Sequence, residues 1–237
     1  MKPDLISKIK GHGYWRINFQ PLVMKDQLTL EQCSEIVRKN AVKLRGWDFP
    51  HFPQRQNEET GMEPCGSYYQ GWIDWWAHKE FWRMYKGGQF LCYVALLEDW
   101  YGEDGWFAKM AEKVKPDTVV NVIGSVEYEV LEFFEFLSRL CENGLYKEGV
   151  NISISLHNIR GRTLFIDDSN RVPLFHDRRT GADEYVFTSQ LTPDAIIKDV
   201  KGLSKKVILE VFDIFGWHNP PMETVDRDID QFLSGRR

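Results

Sequence analysis

Residues 125–141 carry the most demanding pattern in this chain. Val126, Val130, Phe133, Leu137 and Leu140 recur at alternating steps of four and three, the spacing of one face of an α-helix. Leu131, Phe134 and Cys141 widen the stripe. A helix with so broad an apolar face needs an apolar layer to pack on. Ser125 is the expected cap and Gly144 the expected stop. Glu127, Glu129, Glu132 and Glu135 crowd the N-terminal half, as the helix dipole prefers, and are expected to form a solvated face.

Alternating segments supply candidates for the opposing layer. Trp15, Ile17 and Phe19 alternate with Arg16 and Asn18, and Pro21 ends the run. Ile152, Ile154 and Leu156 alternate with Ser153 and Ser155. Further strands are expected at Val42–Arg45, Ser67–Trp76, Gln89–Leu97, Thr118–Ile123, Thr163–Ile166 and Tyr185–Ser189, with the Thr163 strand forming a hairpin with Asn151–Ile159. Thr29 opens a helix through a capping box with Gln32, with Leu28 set to staple against Cys33. Short helices are expected at His78–Tyr85, Phe107–Val114 and Val225–Leu233, and a longer one at Leu203–Phe215. Residues 1–11 read as a loosely held start and 52–66 as a long loop. The expected class is α+β, a mixed and largely antiparallel sheet with packing helices. Residues 1–237 are expected to form a single domain, with 12–100 and 118–217 as candidate αβββ-like halves divided at 101–118.

Bulk properties exclude several functions. The net charge is −5, and the basic doublets Arg178-Arg179, Lys205-Lys206 and Arg236-Arg237 are scattered, which disfavours a general nucleic-acid binder. Cys33, Cys65, Cys92 and Cys141 are too far apart for a CxxC knuckle and follow no signal peptide. Four free thiols in a reducing cytoplasm are expected. The longest uncharged apolar run, Phe90–Leu97, is far short of a membrane span. Walker A, GxGxxG, GxSxG and HExxH motifs are absent, and the six histidines share no short metal-ligand spacing. No cofactor and no metal are therefore expected.

Chemistry concentrates in Val42–His51, which gathers an arginine, an aspartate, a histidine, a glycine and a proline in ten positions. Gly46 permits special backbone angles, and Pro50 keeps Phe49 extended. Asp48 and His51 are thus placed on a fixed turn. One reading makes Arg45 an anion clamp and Asp48 with His51 an acid/base or ligating pair. The other is structural: Arg45 pairs with Asp48, Trp47 fills the core and His51 donates to a carbonyl. Ser67–Tyr85 adds eight aromatics in nineteen residues, which serve either as core or as a stacking surface.

Gly13-Tyr14-Trp15-Arg16, Leu44–His51, Glu80-Phe81-Trp82-Arg83 running on to Gly88-Gln89-Phe90, Glu98-Asp99-Trp100, Glu132–Leu140 and Phe215-Gly216-Trp217 together resemble an uncharacterised bacterial family marked by an RGWD[FY]PH-type segment. The resemblance implies a bacterial cytoplasmic module, of a kind also found in proteins described as ATP-binding or transcription-regulator-like. It supplies no catalytic residue.

The first functional expectation is a non-enzymatic sensor or interaction module. It would bind a small molecule or partner protein in an aromatic-rich pocket formed by Arg45, Trp47, Asp48, His51, Trp72, Trp82 and Arg83. The second is a hydrolytic enzyme in which Asp48 and His51 converge with Glu80 or Asp99, a cluster that His78 could also join because strand ends can meet in space. The third is an accessory nucleic-acid-recognition subunit. Homo-oligomerisation is compatible with each.

Overall fold

The structure is a computed structural model that describes residues 4–23, 27–53, 56–103, 105–168, 171, 174 and 176–235. In chain order its helices are α1 (Leu5–Lys10), α2 (Leu30–Asn40), α3 (Ala108–Ala111), α4 (Glu129–Glu142), α5 (Pro193–Lys198), α6 (Val200–Ile214) and α7 (Met222–Leu233). The strands are β1 (Tyr14–Pro21), β2 (Thr60–Cys65), β3 (Tyr68–Trp75), β4 (His78–Tyr85), β5 (Phe90–Ala95), β6 (Val119–Asn121), β7 (Val150–His157), β8 (Thr163–Phe165) and β9 (Glu184–Leu191).

Seven strands form one antiparallel sheet in the order β2-β3-β4-β5-β1-β7-β9, which bears out the α+β expectation. The two candidate halves share this sheet: β1 joins them, bonded to β5 on one side and to β7 on the other. Alternation sends Trp15, Ile17 and Phe19 to one face, with Trp82, Met84, Phe90 and Ile154, under α2, α4, α5 and α6. Tyr14, Trp72, Phe81 and Tyr93 face the other way, under α1 and Trp100.

Tertiary pairing overrides local signals in several places. His78–Tyr85, expected as a helix, is β4. It is bonded to β3 and β5 and places Glu80, Trp82 and Met84 opposite Lys79, Phe81 and Arg83. Val42–Arg45 is not a strand; its pairing is reduced to one bridge, between Val42 and Phe49. Thr163–Phe165 forms no hairpin with β7 but pairs in parallel with β6 in a separate two-stranded sheet. The expected loop at 52–66 contains edge strand β2, where Pro64 is tolerated. Within the expected loose start, residues 5–10 are held firmly, because Leu5 and Ile9 of α1 are fully buried.

The capping box at α2 forms as expected: the Gln32 N–H donates to Thr29 Oγ1 at 3.1 Å and the Thr29 N–H donates to Gln32 Oε1 at 2.8 Å. At α4 the cap is different. A π-helical turn, Val122–Tyr128, precedes the helix, and the Asn121 side chain accepts from the Ile123 and Gly124 N–H groups. The expected cap, Ser125, instead donates its hydroxyl to buried Glu98 at 2.6 Å. All four cysteines are free, and no described helix is long and apolar enough to cross a membrane.

The Trp82 ring lies over Gly71 of β3, so a Cβ there would come within 2.5 Å of the indole. Gly71→Ala is therefore expected to destabilise the protein by about 1–3 kcal/mol through overpacking. Urea denaturation checks this, and a change near zero would mean the ring moves freely.

Candidate functional site

The central segment is a loop, residues 42–53, laid across β4 and the start of α4. Its base is pinned where Val42 and Phe49 exchange backbone hydrogen bonds of 2.7 and 2.8 Å. Arg139 of α4 adds a bond of 2.7 Å to the Ala41 carbonyl. Gly46 turns the chain with φ at +102°. Phe49, not Trp47, is the core anchor: it is buried against Phe133 and Phe136.

Arg45 does not pair with Asp48. It turns inward, bonds Glu129, contacts Glu132 at 2.8 Å and donates to the Gly124 carbonyl at 3.2 Å. That corrects the expected solvated acidic face. Glu127, Glu129 and Glu132 are buried, and of the four glutamates Glu135 alone stays partly open, paired with Arg139 at 2.9 Å. The loop covers this flank of α4 and brings the guanidinium to it, which periodicity within the helix cannot show.

His51 is held from two sides by β4. Its N–H donates to Glu80 Oε1 at 2.7 Å, and its carbonyl accepts from Trp82 Nε1 at 2.8 Å. Its Nδ1 lies 3.0 Å from Asp48 Oδ1, and Asp48 Oδ2 accepts the Phe52 N–H at 3.3 Å. His78 stands behind, with Nε2 3.5 Å from Glu80 Oε2 and its ring 4.7 Å from that of Trp47. A cleft of about 800 Å³ opens in front, lined among others by Trp47, Asp48, His51, Phe52, Glu59 and Trp75. Trp75 in turn stacks on Trp76 at 4.4 Å.

Burial dominates the electrostatics. It pushes Glu80 up to about 8 against the charge and the N–H of His51, with the charges of Glu129 and Asp48 adding to it. It pushes Glu132 up to about 8 against the pull of Arg45, and Glu127 up to about 8 beside Asp228. It drives His78 down to about 3, helped by the charge of His51. Burial also works against protonated His51, but its contact with Asp48 and the charge of Glu80 outweigh this and raise it. Asp48 is lowered, because the same contact overcomes its burial.

The structure therefore brings Trp47, Asp48 and His51 to one cleft, with Trp82 fully buried behind it and Arg45 turned away beneath. Trp72 and Arg83 are not part of it. Trp72 packs with Phe81 and Tyr93 on the opposite sheet face, and Arg83 lies over Tyr68 and Phe81 and donates to Gln70 at 3.1 Å. Trp47, Trp72 and Trp82 therefore form no common apolar pocket.

Of the expected acid partners, Glu80 joins His51 and Asp99 does not. Asp99 holds fully buried Arg162 through bonds of 2.7 and 2.8 Å and accepts the Gly13 N–H at 2.9 Å. His12, Asp99 and Asp117 could share an ion by distance, but Arg162, which also bonds Asp117 at 2.7 Å, already supplies the positive charge there. Arg178 donates to the Gly216 carbonyl and Lys205 to Asp226, so these members of the basic doublets have intramolecular partners, and Arg236-Arg237 lies outside the described residues.

Sequence reasoning missed Glu129, Glu132 and Trp75 as parts of the site. The convergence of His78 with His51 and Glu80 forms, although the segment that carries His78 is strand β4 and not the expected short helix. Comparison of the chain with family models, curated proteins and solved structures finds no match.

Two consequences are measurable. Arg45→Ala leaves Glu129 and Glu132 buried without their cation and is expected to cost about 3–5 kcal/mol in denaturant unfolding; a cost below about 1 kcal/mol would contradict the ion pair. The second concerns pH. Glu80, Glu127 and Glu132 hold protons more tightly folded than unfolded, so the stability they contribute is full below 4.5 and is lost as pH rises through about 8. Neutral His78 works oppositely, contributing above 6.5 and failing as pH falls towards about 3. Between pH 6.5 and 8 the carboxyls act without that opposition, so unfolding free energy should fall by about 1.4 kcal/mol or more per pH unit. A flat or rising profile in that window would refute the assignment.

Proposed function

We propose that the protein is a ligand-binding module and that the cleft in front of His51 is its recognition site. The ligand expected is a small molecule, or a side chain of a partner protein, with a planar apolar part and a hydrogen-bonding edge. One observation carries this reading. Trp15 and Trp82 are fully buried, yet Trp47 and Trp75 remain 37% and 42% exposed where they line the cleft beside Asp48 and His51. Aromatic walls around a few fixed polar groups are the usual composition of a recognition site. Trp47 rests on His78, and His51 is tied to β4 at both its N–H and its carbonyl, so the wall and the polar floor are preorganised.

A second reading, acid–base hydrolysis, is favoured by the 3.0 Å approach of Asp48 Oδ1 to His51 Nδ1, which brings a carboxylate beside an imidazole. It assigns His51 as the base and Asp48 as its orienting partner.

The test uses indole, adenosine and benzamidine as probes, followed through the indole N–H resonances of the labelled protein. Binding should shift the Trp47 and Trp75 signals, and Asp48→Asn should weaken it at least fivefold. Absence of any shift at these two tryptophans would sink the binding reading. For hydrolysis, turnover of p-nitrophenyl acetate should fall by about 100-fold or more in His51→Ala; an unchanged rate removes the enzymatic reading.

A further inference from the structure

Glu80 is a buried group that touches both the floor and the wall support of the cleft. One carboxyl oxygen accepts the His51 N–H at 2.7 Å, and the other lies 3.5 Å from His78 Nε2, on whose ring Trp47 rests. That His78 nitrogen is buried without a hydrogen-bond partner among the described residues. A protonated Glu80 can serve both neighbours: its carbonyl oxygen accepts from His51, and its O–H is the donor that the orphaned His78 nitrogen lacks. An ionised Glu80 keeps the first bond but, with the His78 proton on Nδ1, turns a bare negative oxygen towards a lone pair.

The surroundings set the direction of the effect. From the loop, Arg45, Asp48 and His51 face this cluster; from α4, Glu129 and Glu132; from β4, His78, with Lys79 acting on it; and from β5, the buried thiol of Cys92. While Glu80 and Glu132 hold their protons, Arg45 and protonated His51 face the carboxylates of Asp48 and Glu129. Once His51, Glu80 and Glu132 have lost theirs, Arg45 alone faces four carboxylates in a buried site. Unpaired buried charge of this kind is relieved by opening the site to water.

We propose that Glu80 is a proton-operated latch on the recognition cleft: protonated, it seats residues 47–52 against β4, and ionised, it releases them. The proposal rests on the reading of this cleft as the binding site and adds its regulation. Burial, with Glu129 and Asp48 adding to it, outweighs the charge and N–H of His51 and pushes the Glu80 carboxyl up to about 8, which puts the transition in the mildly alkaline range. His78, driven down to about 3, does not take up the released proton. Affinity for any ligand held by His51 and Trp47 should then fall as pH rises from 7 to 9.

Hydrogen–deuterium exchange tests the latch without a ligand. After correction for intrinsic exchange chemistry, the wild-type segment 42–53 should lose at least tenfold protection between pH 6.5 and 9, while β1 stays protected. Glu80→Gln cannot ionise, yet its amide can still accept from His51 and donate to His78. It should keep the pH 6.5 protection throughout, and Glu132→Gln should still show the alkaline loss. A wild-type segment indifferent to pH, or the same loss in Glu80→Gln, overturns the proposal. If Glu80→Gln does not fold, carbon-13 NMR of labelled glutamate in the wild type decides. One carboxyl must titrate between pH 7 and 9 in step with exchange at His51, and its absence refutes the latch. Failure of the indole, adenosine and benzamidine probes with a working latch would remove the binding reading alone, and bound probes with no latch would remove only its regulation.

Discussion

The buried fork of Arg45 on Glu129 and Glu132 is the interaction on which the candidate site depends. Two glutamates three residues apart share one flank of α4, and left alone in the interior they would repel each other and lose their hydration. A guanidinium is suited to the position because it stays charged and presents several donors in one plane. Its delivery requires residues 42–53 to cross the helix, and that crossing carries Phe49 into the core and Asp48 and His51 to the cleft. The site is thus a consequence of how a helix's acidic flank is neutralised.

The sheet supplies the second half of the geometry. β4 sends Glu80 and Trp82 to the loop side and Lys79, Phe81 and Arg83 to the other. The loop side meets His51 through two polar atoms, one on Glu80 and one on Trp82. The opposite face is organised around separate charges. Lys79, almost wholly buried, pairs with Asp74 at 3.1 Å and Glu103 at 2.7 Å, and its ammonium lies 4.5 Å from the centre of the Trp100 ring. Neighbouring residues of one strand therefore belong to ionic networks on opposite faces of the sheet.

Much of the fold was legible because periodicity reports which face of an element is buried. Trp15, Ile17 and Phe19, the stripe from Val126 to Leu140, and the Thr29–Gln32 box all stand where their spacing puts them. The failures share a cause: the deciding partner lies far away in sequence. His78–Tyr85 becomes a strand because β3 and β5 bond it on both sides. Glu129 and Glu132 are buried because a loop about 85 positions earlier covers them, as the separation of 84 between Arg45 and Glu129 shows. For the candidate site, the special residues of 42–51 marked the right segment. Their composition could not reveal that Arg45 turns away from the cleft or that Trp72 and Arg83 lie on another face.

The glycine beneath Trp82 has a counterpart one strand further out, where the Trp72 ring lies over Gly61 of β2. Across β2, β3 and β4 each indole thus occupies a gap left by a missing side chain on the adjacent strand. Slipping β4 by two residues against β3 would set Trp82 opposite Tyr69 or Ile73 in place of Gly71, and no such gap exists there. These glycines therefore act as alignment marks. They make the correct pairing of three consecutive strands the one that accommodates both rings, so the position of Glu80 beneath His51 is written into strand register as well as into the loop that reaches it.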